Sequence, residues 1–182
     1  MSNISPVGRI SFPHLFKPQQ NDRGENVWSV VVIFDKKAQD SDEFKAMEAA
    51  VQNAASERFG AKVPAGVKRK SLEPKSGYPI TLCETKPDWF GWATEGAVMI
   101  TFSSKYQPVV IDRSKQEILD AAEVYAGQYG RVQWTTYAYD ASGNQGVSFG
   151  LRAYQKVKEG EALSGGKPDI GAFGDLKEED DF

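Results

Sequence analysis

Along much of this chain, apolar residues recur at every second position, the spacing of a strand with one buried face. Ile10, Phe12, His14 and Phe16 alternate with Arg9, Ser11, Pro13 and Leu15. Val27 to Phe34 is a nearly continuous apolar run rich in β-branched residues, as expected of a strand central in its sheet. The polar stretch Lys17–Asn26 joins these two strands as a long hairpin. Val98, Ile100 and Phe102 alternate with Met99, Thr101 and Ser103, and Val109–Ile111 follows a Tyr-Gln-Pro corner. Two further strands span Arg131–Tyr139 and Gly146–Val157, joined by Asp140–Gln145, a loop dense in turn residues.

Only residues 41–59 repeat at helical spacing. Phe44, Met47, Val51, Ala54 and Ala55 share a face, a stripe that reads as core packing. Asp40 or Ser41 can cap this helix, Glu43 stands where a capping box with Asp40 needs it, and Gly60 can end it. Residues 61–96 read as irregular, with prolines at 64, 74, 79 and 87. The pattern predicts a mainly β fold: an OB-fold-like antiparallel barrel of five or six strands with one helix.

The 182 residues suit one domain, assigned to 1–158, followed by a tail at 159–182. From Glu159 onward eight residues are acidic and two basic, a net −6 against −3 for the whole chain, so residues 1–158 carry +3. The tail is Gly-rich, offers little to a core and reads as a disordered acidic segment. It closes on Glu178, Glu179, Asp180, Asp181 and Phe182. Acidic tails often serve solubility alone, but that role has no use for a terminal aromatic. Such a tail can imitate a polyanion, and its tip suits a basic, apolar pocket on a partner. No apolar run approaches the ~20 residues of a membrane span, and no secretory signal is visible. Cys83, the one cysteine, rules out an internal disulfide and fits a reducing compartment.

Catalytic chemistry is hard to find. His14 lies on the apolar face of its strand, the setting of a buried, hydrogen-bonded histidine. One Cys and one His cannot make a usual zinc site, and the pair has no local signature of a nucleophile and its base. Gly165-Gly-Lys-Pro168 lacks phosphate-loop spacing. These residues offer no recognisable catalytic centre and no metal site of the usual kind, and the poverty of His and Cys makes an unrecognised hydrolase a poor alternative.

Basic and aromatic residues do form a pattern. On strict alternation Arg152, Tyr154 and Lys156 point away from Val147, Phe149, Leu151, Ala153 and Val157. Arg131, Gln133, Tyr137 and Tyr139 point away from Val132, Trp134, Thr136 and Ala138. If these strands pair, Arg131, Tyr137, Tyr139, Arg152, Tyr154 and Lys156 make one surface of phosphate-neutralising cations and base-stacking rings, suited to single-stranded nucleic acid. An ordinary solvated sheet face has a similar composition. Lys68, Arg69 and Lys70 add a positive cluster, which a solvated loop would also explain. Trp89 and Trp92 place aromatics in a loop-rich stretch, where either could be core, and Lys105 and Tyr106 end a strand. Together with the acidic tail, these features favour an electrostatic groove.

Several segments carry a likeness to a known family: Glu123–Arg131 (EVYAGQYGR), Tyr137-Ala-Tyr139, Gly143–Val147 (GNQGV), Gly150-Leu151, Gln155–Gly160 (QKVKEG) and the Asp-Asp-Phe end. From about Val98 to Phe182 the chain resembles the phage-encoded single-stranded-DNA-binding proteins built on an OB fold. Gln128 departs from the small residue or Cys expected in many relatives. The resemblance implies a non-catalytic protein without cofactor that coats single-stranded DNA during phage replication and recombination in the cytoplasm of the bacterial host. It implies that the tail contacts replication proteins and competes with DNA for the basic groove. The expected state is a monomer or homodimer away from membranes. An OB-type module for protein or oligosaccharide stays open as the alternative.

Overall fold

The computed structural model describes residues 3–141 and 143–163. The strands are β1 (Gly8–Gln20), β2 (Asn26–Phe34), β3 (Ile80–Leu82), β4 (Val98–Ser104), β5 (Val109–Ile111), β6 (Tyr129–Ala141) and β7 (Asn144–Lys158). The helices are α1 (Lys36–Gln39), α2 (Asp42–Phe59), α3 (Ala65–Lys68) and α4 (Pro87–Phe90). The strands form one sheet in the order β3-β4-β2-β1-β6-β7-β5, and β4 also pairs with β7. That pairing is parallel and short, matching Phe102 with Phe149 and Ser103 with Gly150. The β1–β6 seam is equally short, matching Gly8 with Gly130 and Arg9 with Tyr129. The sheet therefore curls back on itself as a partly closed, OB-like barrel.

The interior is filled from every long strand, by Ile10, Val30, Val32, Phe34, Ile100, Phe102, Val132, Trp134, Phe149 and Leu151. β2 is apolar on both faces for a reason. Val30, Val32 and Phe34 enter the barrel, while Val31 and Ile33 face outward and are covered together with Met99 by Cys83, Phe90 and Ala97. α2 joins the barrel core through Phe44, Met47, Val51 and Ala55, with the Phe44 ring 5.6 Å from that of Phe34. Burial of each large side chain is worth about 1.5–3 kcal/mol. Ser41 caps α2 by accepting a hydrogen bond from the Phe44 amide at 3.2 Å. Asp40 instead closes α1, so the capping box with Glu43 does not form.

Local details depart from the pattern. The first hairpin is tighter than expected, because β1 runs on to Gln20 and Asn21 Oδ1 accepts from the Arg23 and Glu25 amides, both at 3.0 Å. The stretch read as irregular contains β3, three residues long and paired with β4. More consequential are two shifts in strand register. In β1 the register slips between Ser11 and His14, and Phe12 takes φ +46°. Ile10 and Leu15 are buried, Phe12 turns outward, and His14 is half-buried, which lowers its pKa. In β7 the register slips at Arg152: Leu151 faces Trp134 and Ala153 faces Gln133, leaving Arg152 as the extra residue. One extra residue exchanges inside for outside beyond it.

That second bulge corrects the expected six-residue surface. Tyr154 is 0% exposed, and its hydroxyl donates to Gln128 Oε1 at 2.8 Å within the barrel wall. Its ring packs where Gly130 leaves space: a Cβ on that glycine would lie 2.3 Å from the ring. Lys156 is also withdrawn. Its side chain is 17% exposed, lies 2.6 Å from the Glu159 carboxylate and donates to the Glu123 carbonyl at 2.8 Å. Of the tail expected to be disordered, residues 159–163 are described and hold to the barrel, while its remainder, with Glu178, Glu179, Asp180, Asp181 and Phe182, lies outside the described residues.

Candidate nucleic-acid interface

Residues 83–97 form the platform of the site. They lie over the apolar outer faces of β2 and β4, where Phe90 is buried against Val31, Ile33 and Met99. Pro87 starts α4, suiting a position that needs no amide donor. The Glu84 carboxylate accepts from the Gly96 amide at 2.9 Å, and Gln39 Nε2 donates to the Phe34 and Gly96 carbonyls at 3.1 and 3.0 Å. With Phe90 pointing in, its neighbours Trp89 and Trp92 point out, 60% and 37% exposed. The Trp92 indole donates to the Trp89 carbonyl at 3.0 Å, which holds the Trp92 ring against the Trp89 main chain.

The β1 bulge brings Phe12, 44% exposed, onto this platform. Its ring centroid lies 5.5 Å from that of Trp89 and 6.1 Å from that of Phe90, and Phe90 lies 6.4 Å from Trp92. The row continues through cations. Lys86 Nζ stands 5.8 Å from the Trp89 ring centroid. The Arg9 guanidinium carbon stands 4.9 Å from the Trp92 ring and 5.9 Å from the Tyr129 ring. Lys158 Nζ stands 4.6 Å from Tyr129. An unbroken line of contacts thus runs Lys86, Trp89, Phe12, Phe90, Trp92, Arg9, Tyr129, Lys158. Beside it is a cleft of about 150 Å³ whose walls include Arg9, Trp92 and Tyr129.

Of the residues singled out from sequence, Trp89 and Trp92 are in this row. The others are dispersed. Lys68, Arg69 and Lys70 lie at the end of α3 beside α2, and Lys70 is 3.8 Å from Glu48. Lys105 pairs with Glu25 at 3.6 Å, and Tyr106 is exposed next to it. Arg131 donates to Gln155 Oε1 at 2.8 Å, and Arg152 is exposed at its bulge. Tyr137 lines a hollow with Glu57 and Arg58 of α2. Tyr139 is half-buried near Lys75, and burial raises its pKa. Arg9, Phe12, Lys86, Tyr129 and Lys158 were missed. Arg9 and Tyr129 meet only because β1 pairs with β6, and Phe12 surfaces only because β1 bulges. The cluster of Lys86, Trp89 and Trp92 within seven residues was the visible signal. The Cys83 thiol is buried, and burial pushes its pKa up to about 11, away from nucleophilic use.

A partly closed OB-like barrel with exposed rings and cations over its outer sheet face is an architecture that single-strand binders use. Residues 3–182 match the family of the single-stranded-DNA-binding protein of Enterobacter phage Enc34, and the chain belongs to that family of non-enzymatic binding proteins. "Putative protein p50" of Acyrthosiphon pisum secondary endosymbiont phage 1 is 26% identical over 159 residues, 87% of this chain and 84% of that protein. Among solved structures, the single-stranded-DNA-binding protein of bacteriophage Enc34 in complex with ssDNA superposes with a TM-score of 0.72 at 19% identity, covering 88% of each chain. The single-stranded-DNA-binding protein of bacteriophage T7 superposes with a TM-score of 0.61 at 15% identity, covering 96% of this chain and 94% of the other. These two likenesses are of fold.

Proposed function

We propose that this protein coats and protects single-stranded DNA, largely without regard to sequence, during phage DNA replication and recombination in the host cytoplasm. The observation that carries the reading is the contact row from Lys86 to Lys158. Ring faces at Trp89, Phe12, Trp92 and Tyr129 can stack any base, and Lys86 and Lys158 can neutralise phosphates along the same line. Family membership supports it. Arg131, Arg152, Lys105, Tyr106, Tyr137, Tyr139 and the Lys68–Lys70 cluster are candidate outer contacts for a longer strand. In this reading the acidic tail competes with DNA for the cations, and its closing residues Glu178–Phe182 recruit replication proteins.

Titration with poly-dT, followed by tryptophan emission, tests the reading. Binding should weaken steeply with salt, and Trp89→Ala should cost about 1–3 kcal/mol of affinity, the worth of one stacked base. Lys86→Ala should weaken binding to all sequences alike and flatten the salt dependence by about one phosphate contact. Affinity that does not change with salt would sink the reading and favour a protein- or oligosaccharide-binding module.

A further inference from the structure

We propose that residues 159–163 are a strap of the binding domain, and that Arg9 is the positioning residue through which this strap sets the Trp92 and Tyr129 rings for bases. The proposal rests on the reading of the ring row as the DNA face. After β7 ends at Lys158 the chain does not leave the barrel. The Gly160 amide donates to the Tyr125 hydroxyl at 3.0 Å, and that hydroxyl donates to the Glu159 carboxylate. The Leu163 amide donates to the Ala126 carbonyl at 3.1 Å. The strap meets the 125–129 segment backbone to backbone. A Cβ on Gly127, which has φ +112°, would lie 2.0 Å from the Glu161 carbonyl oxygen, and one on Gly160 would lie 2.1 Å from the Gly127 oxygen. Two facing glycines permit an approach that side chains would block.

Both ends of this contact bear on the rings. The same Cβ position on Gly160 lies 3.0 Å from Tyr129 Cε2, so the strap backs that ring. Arg9 Nε donates to the Gly127 carbonyl at 3.0 Å, and its Nη2 donates to the Glu161 carbonyl at 2.6 Å. The guanidinium therefore ties the strap to the loop it lies on, while its central carbon stands 4.9 Å from the Trp92 ring and 5.9 Å from the Tyr129 ring. Two of its donors are committed to main-chain oxygens, which makes it a spacer more than a phosphate ligand. Lysine would keep the charge but has neither the plane nor the fork.

The test uses full-length protein, oligo-dT titrations across a salt series, and thermal melts. Gly160→Val forces the strap from Gly127, and Arg9→Lys removes the fork. Each should weaken oligo-dT binding about tenfold, the scale of one misplaced stacking contact. The slope of log affinity against log salt should not change, because no charge is lost. The double variant should bind no worse than the weaker single, because both break one device. Tyr125→Phe adds no bulk and should weaken binding in the same direction if Gly160→Val proves too unstable to use. Unchanged or tighter binding by the strap variants, wild-type affinity in Arg9→Lys, or additive losses in the double variant would each overturn the proposal. Wild-type protein that fails to bind oligo-dT would overturn the DNA reading instead. The strap is then judged by acrylamide quenching of tryptophan emission, which Gly160→Val should increase; no increase would overturn it as well.

Discussion

Tyr154 carries a hydroxyl into the barrel wall, where water cannot satisfy it. Gln128, itself 0% exposed, resolves the problem: its Oε1 accepts from Tyr154, and its Nε2 donates to the Glu123 carbonyl at 2.9 Å. Burial raises the Tyr154 pKa, consistent with a neutral phenol acting only as donor. Gln128 thus links β7 to the segment before β6, a structural role that explains a glutamine where a small residue was expected. Tyr154→Phe leaves Gln128 Oε1 buried without its donor. It should lower unfolding stability by about 1–3 kcal/mol in urea titrations. Poly-dT affinity should stay at the wild-type value, because the ring faces the core. A drop in affinity without a drop in stability would return Tyr154 to the DNA face.

At the scale of elements, the strands and helix that alternation or helical period defines were legible in the sequence, and so was the stripe Phe44, Met47, Val51, Ala55. The bulges were not. An extra residue leaves no mark in apolar spacing, since Arg152 and Phe12 are ordinary strand residues taken singly. Their displacement is set by neighbouring strands: Arg152 by the long β6–β7 ladder, Phe12 by the slip of β1 against β2. Pairings across more than a hundred residues, such as Arg9 with Tyr129, were likewise invisible without the fold. This is why, of the DNA contacts the sequence suggests, only Trp89 and Trp92 stand in the central row, and why Arg9, Phe12, Lys86, Tyr129 and Lys158 are not among them. The Phe12 bulge yields a prediction. A phenylalanine at φ +46° costs about 1–2 kcal/mol that glycine avoids, but glycine forfeits the ring contacts with Trp89 and Phe90. Phe12→Gly should therefore change stability by less than about 1 kcal/mol, with the two effects opposed. It should weaken poly-dT binding by about 1–3 kcal/mol if the ring stacks a base. Parallel melts and titrations separate the two outcomes, and large destabilisation with normal binding would mark Phe12 as a packing residue only.

For the whole molecule, charge distribution is the governing quantity. The sequence sets +3 in residues 1–158 against −6 from Glu159 onward. If the tail acts as proposed, tethering would hold it at an effective concentration up to about the millimolar range, so that weak contacts with the cations suffice to compete with DNA. Such competition is long-ranged only while salt allows. The screening length is about 30 Å at 0.01 M and about 3 Å at 1 M. Replacing Glu178, Glu179, Asp180 and Asp181 by their amides in the full chain should therefore raise poly-dT affinity most at low salt, with the two proteins converging as salt rises. Phe182 divides the two roles proposed for the tail. Phe182→Ala keeps all four acids, so its DNA affinity should match wild type, but it removes a ring whose burial in a partner pocket is worth roughly 1.5–3 kcal/mol. Pull-downs from infected host lysate with wild type, Phe182→Ala and the four-amide variant, set beside a DNA titration of each, separate the roles. Phe182→Ala should lose replication proteins at unchanged DNA affinity, whereas the four-amide variant should bind DNA more tightly and recruit partners more slowly, because rim charges chiefly govern association. Equal poly-dT affinity of the four-amide variant and wild type at low salt would end the competition model, and retention of every partner by Phe182→Ala would leave the tail with electrostatics alone.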